Sequence, residues 1–440
     1  MGMKEYSLRF GKGTVQFQIP EEQLLYEITG NNRPSLPDLK GAYLHALDHP
    51  MDAPPLKEIV KPNDTVAITV SDITRAWQKN ASTLSLLIDY LNQAGVPDSK
   101  ITVIIAVGNH RLNTETEFVE ICSESVCHRI KVVNHVSRDT ANMVYLGKTS
   151  RGTEVSLNRL VVEADKVILT GGVVYHYMVG YGGGRKSVVP GVASVKTIQQ
   201  NHLWSLGPAL GSGSNPLCVN GKTRGNPQHE DAMEVAAFLK PDFLINVVTN
   251  FGDEIAGVFT GNWVSAWQEA TTLVDRMCRV RIEEKADIVI ASAGGFPKDI
   301  NLYQTTKTIE NARYALKMGG VAVILAECRD IAEPKEFFEW FKYPNSFEQE
   351  KALREDYDLP GWVALRQTEY CRDYQVLLLT RPENADFARQ ARVHPVFSMD
   401  EALKLACEKC GLDRPRVTVM PFGANTFPVL SDPYPSTGSG

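Results

Sequence analysis

At 440 residues the chain is long enough for two domains, each able to bury a core of its own. Hydrophobic residues at 43% and charged residues at 22% exclude disorder as the main state, and 46 basic against 52 acidic side chains, a net charge of −6 with no long basic run, argue against nucleic acid as a partner. No apolar run reaches transmembrane length, the opening MGMKEYSLRFGKGTV lacks a signal peptide's apolar core, and eight cysteines are too sparse for a disulfide framework, so a cytoplasmic chain without membrane contact is expected.

In chain order, Met1 to Met3 read as terminal residues, and GTVQFQIP (13–20) alternates like a hairpin arm. TVAITVSDITR (65–75) is a strand that delivers Asp72, Thr74 and Arg75 at its end. STLSLLIDYLNQA (82–94) has helical apolar spacing, with Ser82 as cap and Gly95 and Pro97 as stop. ITVIIAVGNHR (101–111) is a second strand, ending in Gly108, Asn109, His110 and Arg111. ADKVILTGGVVYH (164–176) repeats that plan and ends in His176. These runs lack strict alternation, which suits strands covered on both faces of a parallel sheet. Ligands bind beyond the carboxyl ends of such strands, so the three ends should converge on one crevice.

FLINVVTN (243–250) is a late strand of this doubly wound series, and AWQEATTLVDRMCRVRIEEKA (266–286) reads as a connecting helix. A second βα series follows in ADIVIAS (286–292), a helix near 304–317, VAVILAE (321–327) and VLLLT (376–380). The fold class is therefore α/β: two domains of mostly parallel sheet flanked by helices, residues 1–270 and 271–440, with the active site expected in the cleft between them. RVTVMPFGANTF (416–427) is a final strand able to pack back on the N-terminal domain. Cys407 and Cys410 form a lone C-x-x-C on an amphipathic helix and are read as helix packing, and the closing STGSG (436–440) as terminal.

The most informative segment is GGVVYHYMVGYGGGRKSVVPGVASVKTIQQNH (171–202). Gly180, Gly182, Gly183 and Gly184 permit positive φ and close backbone approach, and with Arg185 and Lys186 behind them they suggest a cationic cradle for an anion, a phosphate above all. A Walker A loop would need Gly where Arg185 stands and a helix where Val188, Val189, Pro190 and Gly191 follow. His202 is a candidate ligand for nickel or zinc. His110 and His176, both able to exchange a proton near neutral pH, suit proton handling on both faces of one carbon, the need of a racemase or epimerase.

SDITR (71–75), GNHR (108–111), the H…GGRK…H stretch and GGFPKDINLYQ (294–304) together resemble the lactate racemase family, which uses a nickel-pincer nucleotide. The resemblance implies a pyridinium mononucleotide whose two sulfur-containing arms and a ring carbon hold nickel, joined through a thioamide to Lys186, with His202 as the remaining nickel ligand and Gly182, Gly183, Gly184 and Arg185 on its phosphate. It implies His110 and His176 as the acid/base pair, Arg75 and Lys298 as carboxylate anchors, and Asp72 as a supporting residue near the cofactor. Lys298 and Gln304 would then face the cleft. The implied reaction inverts C2 of a 2-hydroxy acid by hydride transfer through a 2-keto acid, in a protein matured by cofactor-synthesis enzymes. Two other readings stay open: a nucleotide-dependent oxidoreductase or phosphotransferase, and a non-catalytic carboxylate-binding homologue. The substrate beyond C2 is not specified by Tyr177, Trp77 or Trp362, the candidate neighbours.

Overall fold

The computed structural model describes residues 2–431; the closing STGSG lies outside them. The chain divides into two compact units: a central unit of residues 33–205 and 215–276, and a terminal unit that gathers the chain up to Asn32, Leu206–Ser214 and the chain from Met277 onward.

The central unit is built on a six-stranded sheet in the order Ile255–Gly261, Phe243–Thr249, Lys166–Gly172, Val66–Ser71, Ile101–Ala106, Lys131–Asn134. All neighbours are parallel except the first pair. The three strands that carry the candidate site stand side by side in the middle, with Ile68 opposite both Val103 and Ile168. Their residues are buried almost without interruption, as the unalternating β-branched runs require. Sequence order reverses between Val66–Ser71 and Lys166–Gly172: from the former the chain moves outward to Ile101–Ala106 and Lys131–Asn134, then returns to its other side. At such a switch point the loops leaving neighbouring strands part and open a crevice. The helix predicted over 82–94 runs Asn80–Gln93 and follows directly on a 3-10 turn, so Ser82 lies inside it rather than at its cap.

The terminal unit holds a second six-stranded sheet, all parallel: His394–Val396, Gln375–Leu379, Leu316–Leu325, Ala286–Ser292, Val417–Met420, Leu24–Glu27. Two expectations change here. The first 32 residues cluster with the terminal unit rather than with the domain that follows them in sequence, and the last strand belongs to that same unit. Instead Val417–Met420 lies between Ala286–Ser292 and Leu24–Glu27, and the hairpin Met3–Phe10/Gly13–Pro20 lays Tyr6, Leu8, Phe17 and Ile19 into this unit's core. A hairpin with one apolar face must bury it on a larger sheet, and sequence proximity does not decide which.

The C-x-x-C helix is Met399–Cys410, capped by Ser398 and closed by Gly411 at φ +68°; Cys407 is exposed, Cys410 half-buried, and both are free thiols. Among the described residues no helix is long and apolar enough to cross a membrane.

Candidate active site

The strand Val66–Ser71 ends at Asp72, whose carboxylate caps the turn it begins by accepting from Thr74 N at 2.9 Å. The other carboxylate oxygen lies 2.6 Å from His110 Nδ1, delivered by the neighbouring strand Ile101–Ala106. Asp72 is 4% exposed. Burial would raise its carboxyl, but the hydrogen bond and charge of His110, then Arg75 and Thr74, outweigh burial and hold it at about 2. An ionised Asp72 accepts from Nδ1–H, so the His110 ring, 41% exposed at its side chain, presents Nε2 as a base. Gly108 at φ +56° makes the tight turn that brings this loop against Pro190, donating from its amide to Gly191 O at 3.0 Å. Arg75 is fixed locally, donating to Thr74 Oγ1 at 2.7 Å.

Lys166–Gly172 feeds a small hairpin, Tyr175–His176 against Gly180–Tyr181. Tyr175 and Tyr181 both donate to Asp275 Oδ1, at 2.6 and 2.7 Å, which anchors the hairpin to the helix Ser265–Cys278. Gly180 has φ +78°, and a Cβ there would meet Lys222 O at 2.5 Å. The ring of His176 stacks on Tyr177, accepts from Met178 N at 3.3 Å through Nδ1, and places Nε2 2.8 Å from Lys186 Nζ.

The glycine loop corrects one expectation. Gly182 N donates to Val174 O at 2.8 Å and Gly184 N to Asn246 Oδ1 at 3.0 Å, so these two amides are engaged within the protein rather than offered to a phosphate. Arg185 is also turned inward: its guanidinium lies 4.6 Å from the Trp267 ring centroid and donates to Val179 O at 2.7 Å. The glycines answer to packing. A Cβ on Gly183 would sit 2.7 Å from Asn246 Oδ1, and one on Gly184 2.7 Å from Trp267 Cδ1. Asn246 and Trp267 were not singled out from the sequence: one lies in an apolar strand and the other on an amphipathic helix, with no motif to mark either. Arg185 keeps its Nε without a hydrogen-bond partner, and burial pushes the guanidinium down to about 9, so the loop stores an incompletely satisfied positive charge behind Lys186.

His202 stands in the last turn of the helix Val195–Leu203, which Ser194 caps and Asn201 ties to Asp231 Oδ2 at 2.8 Å. Its Nδ1 donates to Ile198 O at 2.8 Å, which leaves the lone pair on Nε2, the form a metal ligand takes. Burial first, with the basic groups Lys186 and His110 nearby, pushes the imidazole down to about 4, so it is neutral at physiological pH. Among the described residues no group of three or more His, Cys, Asp or Glu side chains could hold a metal ion.

The central unit thus brings Asp72, Arg75 and His110 to the carboxyl ends of adjacent strands, with His176 and Lys186 on the hairpin and turn after Lys166–Gly172 and His202 on the helix Val195–Leu203, within range of the charges of Lys186 and His110. Lys298 belongs to the terminal unit, on the loop after Ala286–Ser292, where Nζ lies 3.2 Å from Asn425 Oδ1; its role as a carboxylate anchor rests on the sequence pattern. Trp362 is fully buried in the terminal unit's helix Leu359–Asp373, which removes it as a specificity wall, whereas Trp77 packs against Gly172, where a Cβ would lie 2.6 Å from the ring.

Residues 10–213 match the lactate racemase N-terminal domain and residues 282–427 the lactate racemase C-terminal domain. The chain belongs to the lactate racemase family. It is 29% identical over 433 residues to the lactate racemase of Thermoanaerobacterium thermosaccharolyticum, covering 97% of this chain and 99% of that one. With the lactate racemase of Lactiplantibacillus plantarum it shares 29% over 391 residues, 86% of this chain and 88% of the other. The solved structure of the T. thermosaccharolyticum lactate racemase apoprotein superposes with a TM-score of 0.88 at 28% identity, over 97% of this chain and 100% of that chain. A crystal structure from Thermotoga maritima, at TM-score 0.66 and 17% identity over 91% of this chain and all of the other, shares the fold. The chain is accordingly an isomerase of the lactate racemase family.

Proposed function

We propose that this chain inverts the C2 centre of a small 2-hydroxy acid, lactate being the first substrate to test, by moving a hydride through a planar 2-keto acid with a nickel-pincer nucleotide. The observation that carries the reading is the contact of Lys186 Nζ with His176 Nε2 at 2.8 Å, with Lys186 near enough to shift a neutral His202 whose Nδ1 is spent on Ile198 O.

The donor set fits the cofactor. Lys186 offers the amine for attachment, and His202 Nε2 offers one borderline nitrogen donor to a borderline metal. The buried guanidinium of Arg185 offsets the charge of a phosphate by its field, while the Gly182 and Gly184 amides do not serve as donors. Those engaged amides also weigh against a phosphotransferase reading of the glycine loop. When bound, the nickel-pincer nucleotide supplies hydride acceptance and return at C2.

The protein's part is position and protons. A C2 hydrogen beside a carboxylate is too weakly acidic for easy carbanion formation, so the residues must favour loss of a hydride by taking the hydroxyl proton. His110, oriented by Asp72, takes it from one enantiomer at Nε2, and His176 is the base for the other. Arg75 holds the carboxylate, which fixes the face presented to each base. The reading further implies a cytoplasmic enzyme loaded by cofactor-synthesis enzymes.

The test is expression beside those enzymes, followed by metal analysis, absorbance and an inversion assay on a panel of chiral 2-hydroxy acids. Stoichiometric nickel and a chromophore, both lost in Lys186→Ala, are expected, with inversion of lactate or a close homologue. Unmodified Lys186 together with binding of ATP or NAD would overturn the reading.

A further inference from the structure

The strand Ile255–Gly261 forms one edge of the central sheet, and its outer side is tied at two points: Leu36 N donates to Ile255 O and Met51 N to Thr260 O, both at 2.8 Å. Between the ties the chain winds into the helix Leu39–Asp48, and a cavity of about 310 Å³ opens against residues 256–259. Its wall is largely apolar, with Leu36, Ala42, Phe259 and Leu273 among the lining side chains. Leu273 and Phe259 press on the strand at Gly257, where a Cβ would meet Leu273 Cδ2 at 2.8 Å and Phe259 Cε2 at 2.9 Å. Ala42 and Ala256 are too small to fill what remains. Such a volume, at the low end of ligand pockets, has room for a small organic molecule.

Three charged side chains line the same cavity. The helix Ser265–Cys278 presents Glu269, Leu273 and Arg276 at i, i+4 and i+7, so they share one face, and the backbone positions of the acid and the base stand about 10 Å apart along the axis with Leu273 between them. Arg33 arrives from the segment ahead of the helix Leu39–Asp48. Among the described residues neither Arg33 nor Arg276 enters an ion pair, with Glu269 or with any other acid. A guanidinium is a planar fork of donors that matches a carboxylate through two parallel hydrogen bonds. Two such forks against one acid leave the cavity with a surplus of one positive charge, which suits a monoanion.

We propose that this cavity is a second binding site of the central unit, for a small amphiphilic monocarboxylate: its carboxylate on Arg33 and Arg276, its hydrocarbon tail against Leu36, Phe259 and Leu273. Glu269 sets the charge limit, because it repels a second anionic group and so turns away dicarboxylates and phosphate. The strand Ile255–Gly261 stands two strands away from Lys166–Gly172, about 10 Å across the sheet, which separates this site from His110, His176 and Lys186. The assignment does not depend on the reaction proposed above.

The probe is 4-methylpentanoate, titrated into the full chain and followed by calorimetry and by the NMR signals of the Ala42 and Ala256 methyls. Saturable binding with a Kd of about 1 mM or below is expected, and both methyl signals should shift. Acetate keeps the charge but lacks the tail and should bind about 100-fold more weakly; the neutral 4-methylpentanamide should lose about tenfold or more. Arg33→Gln and Arg276→Gln change exposed side chains, so the variants should fold, and each should weaken the probe about tenfold. Glu269→Gln should tighten it about threefold and admit 3-methylglutarate. Absence of saturable binding, or an affinity unmoved by both arginine changes, overturns the proposal. So does binding that is lost in Arg75→Ala and kept in the two arginine variants, which would place the probe among the reacting groups. Sedimentation of the same samples reports on a second copy of the chain as the occupant: a dimer that excludes the probe and dissociates in Arg276→Gln overturns the small-molecule assignment.

Discussion

The carboxylate of Asp72 and the Nδ1 of His110 are 2.6 Å apart, and they come from the ends of two adjacent parallel strands in register. In the proposed reaction the pair would do for the ring what a buried carboxylate does for a histidine base: select the tautomer and stabilise the imidazolium formed on proton uptake. Asp72→Asn keeps the shape and removes the charge, and its amide can rotate to donate to Nδ1, which moves the ring hydrogen to Nε2. We expect kcat for the loaded enzyme to fall about 100-fold or more. Nitrogen NMR of the His110 ring should show the tautomer change. Wild-type turnover in Asp72→Asn would remove His110 from the proton path.

His202 should be separable from Lys186 by content. His202→Ala leaves the attachment amine in place, so the lysine should still become modified while bound nickel drops to a small fraction of the protein concentration. Intact-protein mass and metal analysis on the same sample decide this. Full nickel occupancy in His202→Ala would move the ligand elsewhere.

Gly184 carries φ +52° and has Trp267 Cδ1 2.7 Å from where its Cβ would be. Gly184→Ala meets both a backbone penalty and a clash with a ring, and should lower stability by about 1–3 kcal/mol in urea unfolding. Because Trp267 supplies the clash, Trp267→Ala combined with Gly184→Ala should cost less than the sum of the single changes, the deficit measuring the steric part.

Stability should decline on the acid side before the carboxylates titrate. Burial depresses His135 and His202 to about 4 and His229 to about 3, all below the unfolded value near 6.5. Between those limits the unfolded chain binds more protons than the native one, so unfolding free energy rises with pH and is lost as pH falls from about 6.5 toward 4. Thermal unfolding followed from pH 7.5 to 4.5 should show Tm dropping most steeply below about pH 6.5. His135 accounts for part of it, bound as it is between Ala193 O and Asn158, and His135→Gln should flatten the curve. A Tm independent of pH over that range would mean these rings are not held neutral.

Much of this protein is determined by local chemistry. Unbroken β-branched runs ending in glycine and histidine make buried parallel strands whose ends carry reactive groups, because a strand covered on both faces has no polar alternation and its open carboxyl end is the place for polar side chains. Asp72, His110 and His176 were legible for that reason, and Lys186 and His202 through their place in a recognisable pattern. Tertiary structure alone decided the rest. A glycine cluster beside two cations has the same composition whether its amides face a ligand or Asn246, and Arg185 looks the same in sequence whether it meets solvent or Trp267. The N-terminal hairpin is amphipathic wherever it docks; it belongs to the terminal unit because Leu24–Glu27 extends the edge beside Val417–Met420, a pairing nearly four hundred residues apart in sequence. Hydrogen-bond partners and side-chain packing across such separations depend on which surfaces meet, and no local pattern encodes that.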